Sequence, residues 1–482
     1  MKSGSHLQLV FLAVALKLAL LLAFGPLQQP DSGMYIAYAE LILKGGEWSH
    51  QIDLHFPHAS TFRMIGYPAV IATFQAVFGS YWDWALVTVQ SAAGLLTMTL
   101  VFRAGRLITG SGRLGCVAAG LYLLSPALQL DLFVLTDSLY GHLLAILTAL
   151  LVIWSCEDRR VTVARVLGCG LLLALAMVIR SATMPLGLLF VAPFTVWVWK
   201  SGLKTGALML VLFLLPLMTV DQGYKAWNKA RGGEAFLTTD TMFALLQPLI
   251  VLEAKGVPAF AGQTVLDRSA REVFALENGP SKATMVTDAF AIGERLTKEG
   301  GLSTVEALAL VKKRFFETML AAPAALLAHT GRELSSSVLF SPFDPLRVLR
   351  RLVSYRYDLD RWLDARHAFL SRPLSEWSVS GVVYLVLEAV SRAVALVLLL
   401  GFLAAGPGAV PAMIGGDRTA GMRVALVVLA AGFIVATAMI HLEERYIIGV
   451  FPALFLASLA TLPDLGRRCS HWLFRRDRSF TS

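Results

Sequence analysis

LVFLAVALKLALLLAFGPLQQPDSGMYIAYAELILKGG, residues 9–46, joins two different kinds of helix. From Leu9 to Phe24 every side chain but Lys17 is apolar. With Leu7 this is a run long enough to enter the hydrocarbon of a bilayer, which takes roughly 20 apolar residues. Only Lys2 and His6 carry charge or basicity before it and no small-residue cleavage site follows. It therefore reads as a retained first span. The second half opens at Pro30-Asp31, carries Met34, Tyr35, Ile36, Tyr38 and Leu41, and stops at Gly45-Gly46. That is a short amphipathic helix suited to the headgroup layer. Asp31 stands where the two meet. One reading makes it an N-cap, accepting hydrogen bonds from first-turn amides. The other makes it a functional carboxylate at the mouth of a span.

The rest of the chain repeats the first half of that stretch many times. Of 482 residues 56% are hydrophobic and 16% charged, against roughly 25% charged in an ordinary soluble domain. The pattern is that of an all-α polytopic membrane protein with about ten transmembrane helices. The spans centre on 7–26, 84–103, 114–132, 138–154, 164–180, 183–199, 205–221, 380–404, 422–440 and 446–463. A further apolar piece, IGYPAVIATFQAVFG at 65–79, is shorter, contains Pro68 and reads as an interfacial or partly inserted helix, with a true span as the alternative. The net charge of +9 does not call for nucleic acid. With both termini in the cytoplasm, Arg103, Arg106, Arg113, Arg159, Arg160, Arg165, Lys200, Lys204, Arg418, Arg423 and the basic tail after Arg467 fall on one side. The short pieces opposite hold only Lys44, Arg63, Arg180 and Arg445, which is the positive-inside bias of a multi-pass cell-membrane protein such as one of the bacterial inner membrane. Three regions follow: an N-terminal membrane module, 1–222, whose external loop 28–83 carries Asp31; an external segment, 223–377; and the C-terminal helices with a basic cytoplasmic tail, 378–482. The middle region is too long for a plain loop, and its amphipathic patterns suit helices folded on the outer face. Cys116, Cys156, Cys169 and Cys469 form no CxxC pair, so neither a disulfide framework nor a cysteine zinc site is expected.

Polar residues at external span ends are the functional candidates. LTDSLYGHLLAI, 135–146, places Asp137 and His142 about a turn apart at the start of a span. A helix cap and a buried hydrogen-bonded histidine explain them as well as chemistry does. Arg180 in MVIRSATMP and Arg445 in HLEERYIIGVFP are suited to hold a phosphate bidentately or to snorkel to the interface. His50, His55 and His58 with Asp53 are ligands of the right type for a divalent metal. Their spacing matches no structural zinc pattern and Pro57 interrupts it. A divalent cation is thus the one cofactor left open. There is no Walker loop, no GxGxxG after a strand, no HExxH and no GxSxG elbow.

Taken in order, the motifs resemble those of the GT-C superfamily of integral membrane glycosyltransferases. The likeness is to the branch holding dolichyl-phosphate-mannose protein mannosyltransferases and bacterial lipid A aminoarabinose transferases. It runs through DSGMYIAYAELILKGG, MIGYPAVIATFQAVFG, VFRAGRLITG, LLSPALQLDLFVLTDSLYGHLLA, IRSATMPLGLLF, KAWNKARGGEAFLTTDTMF and HLEERYIIGVFPAL. It departs where Ser32 replaces a second acid and where Asp137 replaces the more usual glutamate. The resemblance implies transfer of a sugar from a polyprenyl-phosphate donor to an envelope acceptor, whether lipopolysaccharide, another glycan or a protein, at the external membrane face. It implies Asp31 and Asp137 as catalytic residues, and Tyr35, Arg63, Tyr67, His142, Arg180, Glu444, Arg445 and Tyr446 as substrate-binding residues. The competing expectation is a transporter or flippase, which calls for charges near the bilayer midplane on broken helices.

Overall fold

The computed structural model describes residues 4–45, 59–276, 279–337, 343–357, 373 and 379–476. Among them every regular element is helical, and the one extended pairing is an isolated parallel bridge between Leu27 and Phe133. The protein is an all-α polytopic membrane protein.

Among the described residues eight helical runs are long and apolar enough to cross a membrane: His6–Phe24, Gly66–Thr109, Thr136–Cys156, Thr183–Ser201, Leu203–Gly232, Leu385–Ile414, Arg418–Ala438 and Arg445–Pro463. Two expected spans are shorter. Val163–Ile179 has 17 residues. The 114–132 span breaks into Gly112–Leu123 and Ala127–Leu130. Its first part rises only about 18 Å at roughly 1.5 Å per residue. The break falls at Ser125-Pro126, where proline brings no N–H and its ring clashes with the preceding turn. The 183–199 span is likewise three pieces, Thr183–Gly187, a 3-10 turn Leu188–Phe190, and Val191–Val198. The proline-bearing helix Gly66–Phe78 is joined directly to the next span. It continues through a 3-10 turn, Gly79–Tyr81, into Trp82–Thr109, and Gly79 takes the positive φ of 55° that the corner needs.

The bundle packs through small residues. A Cβ on Gly170 would lie 2.4 Å from the Phe213 carbonyl oxygen, so the Val163–Ile179 and Leu203–Gly232 helices touch backbone to backbone. A Cβ on Gly66 would lie 2.5 Å from the Val178 carbonyl oxygen. That second contact seats the start of the Gly66–Phe78 helix beside Arg180.

The Leu203–Gly232 helix runs past residue 222 and ends at Gly233, φ 81°. The long segment then folds on itself. Asp240–Glu253, Val265–Leu276, Met285–Lys298 and Thr304–Ala321 enclose a second apolar core around Met242, Leu249, Leu266, Ile292 and Val311. Phe62, from the loop after Asp31, is buried in that core. Arg231 donates to the Ser60 carbonyl at 2.8 Å and the Thr239 amide to the Thr61 carbonyl at 2.9 Å. The first loop is therefore tied to the long segment just before Arg63 and just before Asp240.

Candidate active site

Asp31 is not a helix cap. The Pro30–Leu43 helix begins on Gln29, whose amide donates to the Ser32 hydroxyl at 2.9 Å. Asp31 sits one residue inside, and its carboxylate turns away from the helix amides toward two arginines. Oδ1 accepts from Arg63 at 3.3 Å and Oδ2 from Arg445 at 2.9 Å. Asp137 repeats the arrangement in the first turn of Thr136–Cys156. It too makes no cap, and its Oδ1 accepts from Arg180. Asp137 is 3% exposed and Asp31 37%. One acid is thus locked in a buried pair while the other faces open space.

The two acids hold their relative position through the backbone. The Leu27 amide donates to the Leu132 carbonyl at 2.8 Å and the Val134 amide to the Leu27 carbonyl at 2.9 Å. Asp31 lies four residues beyond Leu27, and Asp137 four beyond Phe133. The Tyr35 and Thr136 hydroxyls meet at 3.2 Å across the same junction. Behind it, Tyr67 donates to Gln90 Oε1 at 2.9 Å, and the Gln90 amide donates to the Asp131 and Phe133 carbonyls, both at 3.0 Å. Buried carbonyls need such donors, so Tyr67 and Gln90 fix the chain leading to Asp137.

Arg180 leaves the end of the Val163–Ile179 helix in extended conformation. Its guanidinium lies 4.5 Å from the centre of the Tyr446 ring, and that of Arg445 lies 5.1 Å from it. Arg63 stacks 4.9 Å from the centre of Tyr35. The aromatic faces hold three cations around one space without neutralising them. That space is a cavity of about 790 Å³, lined by Asp31, Tyr35, Arg63, Asp137, Arg180, Arg445 and Tyr446. Met184, Pro185, Leu186, Ala436 and Ile440 form an apolar wall, and the Asp240–Glu253 helix lies opposite.

Two sequence candidates lie elsewhere. Tyr67 is fully buried behind Tyr35, in an edge contact at 5.4 Å. His142 belongs to a separate polar knot inside the bundle. Its Nε2 is 2.7 Å from Asp131 Oδ1 and its Nδ1 is 2.8 Å from the Tyr122 hydroxyl. Lys17 pairs with the other Asp131 oxygen and Ser138 donates to Oδ1 at 2.7 Å. The Glu444 side chain lies outside the described residues, as do His50, Asp53, His55 and His58. The acid that meets Arg445 is Glu443, at 2.5 Å. Among the described residues no three His, Cys, Asp or Glu side chains are grouped to hold a metal ion. Sequence reasoning missed Glu443, Ser181, Asp240 and Gln247, all of which line the cavity.

His441 closes the rim. It lies 3.3 Å from Glu333 Oε2 and 3.2 Å from Glu443 Oε1, joining the Pro323–Ser337 helix to the turn that carries Arg445. Burial alone would depress its pKa, but the two carboxylates more than offset this and lift it to about 9. Burial favours protonation of Glu333 and Glu443, yet hydrogen bonds to His441, and to Lys282 for Glu333, hold both at about 2. An imidazole raised from 6.5 to about 9 stabilises the fold fully below pH 6.5 and loses that contribution as pH rises through 9. The carboxylates, lowered from 4.5 to about 2, contribute above pH 4.5 and lose it as pH falls toward 2. We expect resistance of the Pro323–Ser337 helix to limited proteolysis to decline between pH 6.5 and 9. His441→Gln should flatten that decline.

A family model described as dolichyl-phosphate-mannose-protein mannosyltransferase matches residues 63–220. The match supports the GT-C likeness read from the motifs. No curated protein matches the chain. Two solved structures align with it. The crystal structure of ArnT from Cupriavidus metallidurans in the apo state is 14% identical, with 95% of this chain and 79% of that chain covered and a TM-score of 0.34. The crystal structure of the same protein bound to undecaprenyl phosphate is 13% identical, with 95% and 78% covered and a TM-score of 0.32.

Proposed function

From a membrane glycosyltransferase of the GT-C type, we propose an enzyme that moves a sugar from a polyprenyl-phosphate donor to an acceptor hydroxyl of the envelope. The acceptor is lipopolysaccharide, another glycan or a protein, and transfer takes place at the external face with both termini in the cytoplasm. The observation that carries this reading is the position of Asp31. It is a half-exposed carboxylate between Arg63 and Arg445, in a cavity with one charged and one apolar wall. The apolar wall suits the polyprenyl chain, which reaches it from between spans.

In this reading Asp31 accepts the proton of the acceptor hydroxyl as that oxygen bonds to the anomeric carbon. The bond from that carbon to the phosphate oxygen breaks, and its electron pair leaves with the lipid phosphate. Arg180 and Arg445 face the negative charge that develops there. Arg445 already binds an anion, Asp31. A donor phosphate drawn to Arg445 competes with Asp31 and frees a carboxylate oxygen for the acceptor. Asp137 keeps Arg180 aimed through their buried pair.

A transporter reading finds one supporting feature, the charged knot of Lys17, Asp131 and His142 near the broken Gly112–Leu123 helix. That knot is saturated by its own partners and does not line the cavity. Mass spectrometry of envelope glycolipids and glycoproteins from cells with and without the gene tests the proposal. The expected result is one missing sugar residue. An unaltered glycome alongside a lipid-linked precursor held inside the cell would overturn it in favour of a flippase.

A further inference from the structure

We propose, resting on the donor reading above, that one face of the Asp240–Glu253 helix is the sugar subsite. We further propose that it takes a sugar bearing hydroxyl or amino groups and excludes one bearing a carboxylate. Asp240, Ala244 and Gln247 recur at helical spacing and all line the cavity. Asp240 Oδ2 accepts from the Ser181 hydroxyl at 2.7 Å, and Oδ1 accepts from the Thr238 hydroxyl. Among the described residues no cation pairs with it, unlike Asp31 and Asp137. A carboxylate offers about four acceptor positions, so Asp240 keeps capacity for donors from a ligand. Gln247 is 6% exposed and its amide oxygen has no hydrogen-bond partner. A buried acceptor left unpaired costs free energy until something donates to it. Ala244 between them leaves the groove open.

The subsite stands in the right place for a sugar carried on a phosphate. Ser181, which holds Asp240, directly follows Arg180, the cation assigned to the phosphate. In such a donor the sugar is bonded to the phosphate itself, so groups that read the sugar must adjoin the group that reads the phosphate. The vacant positions on Asp240 and on the Gln247 amide oxygen are acceptors, and they call for a ligand that donates. A sugar carboxylate would meet Asp240 with like charge in a partly dehydrated cleft, a repulsion that rejects the wrong ligand. The cations on the cavity wall do not relieve it: Arg63 and Arg445 pair with Asp31 and Arg180 pairs with Asp137. Lys225 is engaged by Asp221 at 2.7 Å, and Lys312 is solvent-exposed on the Thr304–Ala321 helix.

The test measures equilibrium binding to the purified full chain in nanodiscs by intrinsic tryptophan fluorescence. The probes are farnesyl phosphate, farnesyl-phosphoryl-glucose and farnesyl-phosphoryl-glucuronate, the two sugars differing at one carbon. We expect the glucosyl lipid to bind about ten-fold more tightly than either of the others. Asp240→Asn should bring the glucuronosyl lipid to within about two-fold of the glucosyl lipid. Gln247→Leu should remove most of the glucosyl lipid's advantage over farnesyl phosphate. Binding of all three lipids with equal affinity, or an unchanged ratio in Asp240→Asn, overturns the subsite and leaves the lipid-phosphate reading standing. Failure of farnesyl phosphate itself to bind sinks both.

Discussion

Asp31→Asn lowers sugar transfer by about 10²–10⁴-fold, the usual contribution of a positioned general base. The amide keeps the shape of the carboxylate and cannot take a proton from the acceptor. Folding should be little affected. Asp31 is 37% exposed, so its pairs with Arg63 and Arg445 are screened by water and contribute little to stability. Donor binding should hold or tighten, because Arg445 no longer has an internal anion competing with the phosphate. The signature is a collapse of kcat without a rise in the donor KM, measured on protein that elutes and melts like the wild type. A purified variant that retains transfer would end the assignment of Asp31 as base. Asp137→Asn should behave differently. Its own carboxylate is only 3% exposed, so its pair with Arg180 is screened little by water, and both donor affinity and stability should fall. A carboxylate that positions a cation and one that removes a proton are separable by this contrast.

Much of the scaffold was legible in the chain because hydropathy and helix length are local properties. The first span, the helix carrying Asp31 and the order of the bundle all follow from runs within a few turns. The failures mark where local pattern stops deciding. Apolar content continued through Ser125-Pro126, but backbone hydrogen bonding did not, and the expected span broke there. The cap reading of Asp31 was sound for an isolated helix. It gave way because Arg445, 414 residues away in sequence, offers a stronger partner than a helix amide. His142 looked chemical beside Asp137, yet its neighbours are Asp131 and Tyr122, supplied by the broken helix. In HLEERY nothing marks Glu443, which the turn brings to Arg445. Asp240 lies at the end of KAWNKARGGEAFLTTDTMF, where nothing in the resemblance singled out the acid, and Gln247 falls just beyond that stretch. Their meaning lies in facing a cavity that also takes in Asp31, Tyr35, Arg63, Asp137, Arg180 and Arg445.

Lys17→Met should destabilise the protein by about 3–5 kcal/mol, the cost of stripping one partner from a buried ion pair. The helix that carries Lys17 has little else to fasten it. Leu7, Phe11 and Leu22 are 71%, 77% and 70% exposed on its surface, so most of it faces outward from the bundle. Lys17 is 7% exposed and Asp131 1%. Without the ammonium, Asp131 keeps only His142 and the Ser138 hydroxyl. The site has no room to rearrange, since a Cβ on Gly94 would already lie 2.6 Å from Asp131 and 2.8 Å from Lys17. The damage should reach the cavity, because Asp131 begins the segment whose bridge to Leu27 sets both catalytic candidates. Thermal inactivation in detergent should therefore accelerate steeply, and transfer should fall at temperatures where the protein is still folded. Lys17→Met combined with Asp131→Asn should recover most of the loss, because a neutral pair leaves no isolated charge behind. A double variant no better than the single would mean that the shape of the knot matters and its charge balance does not. A single variant as stable as wild type would mean that the first helix is held by its apolar contacts alone.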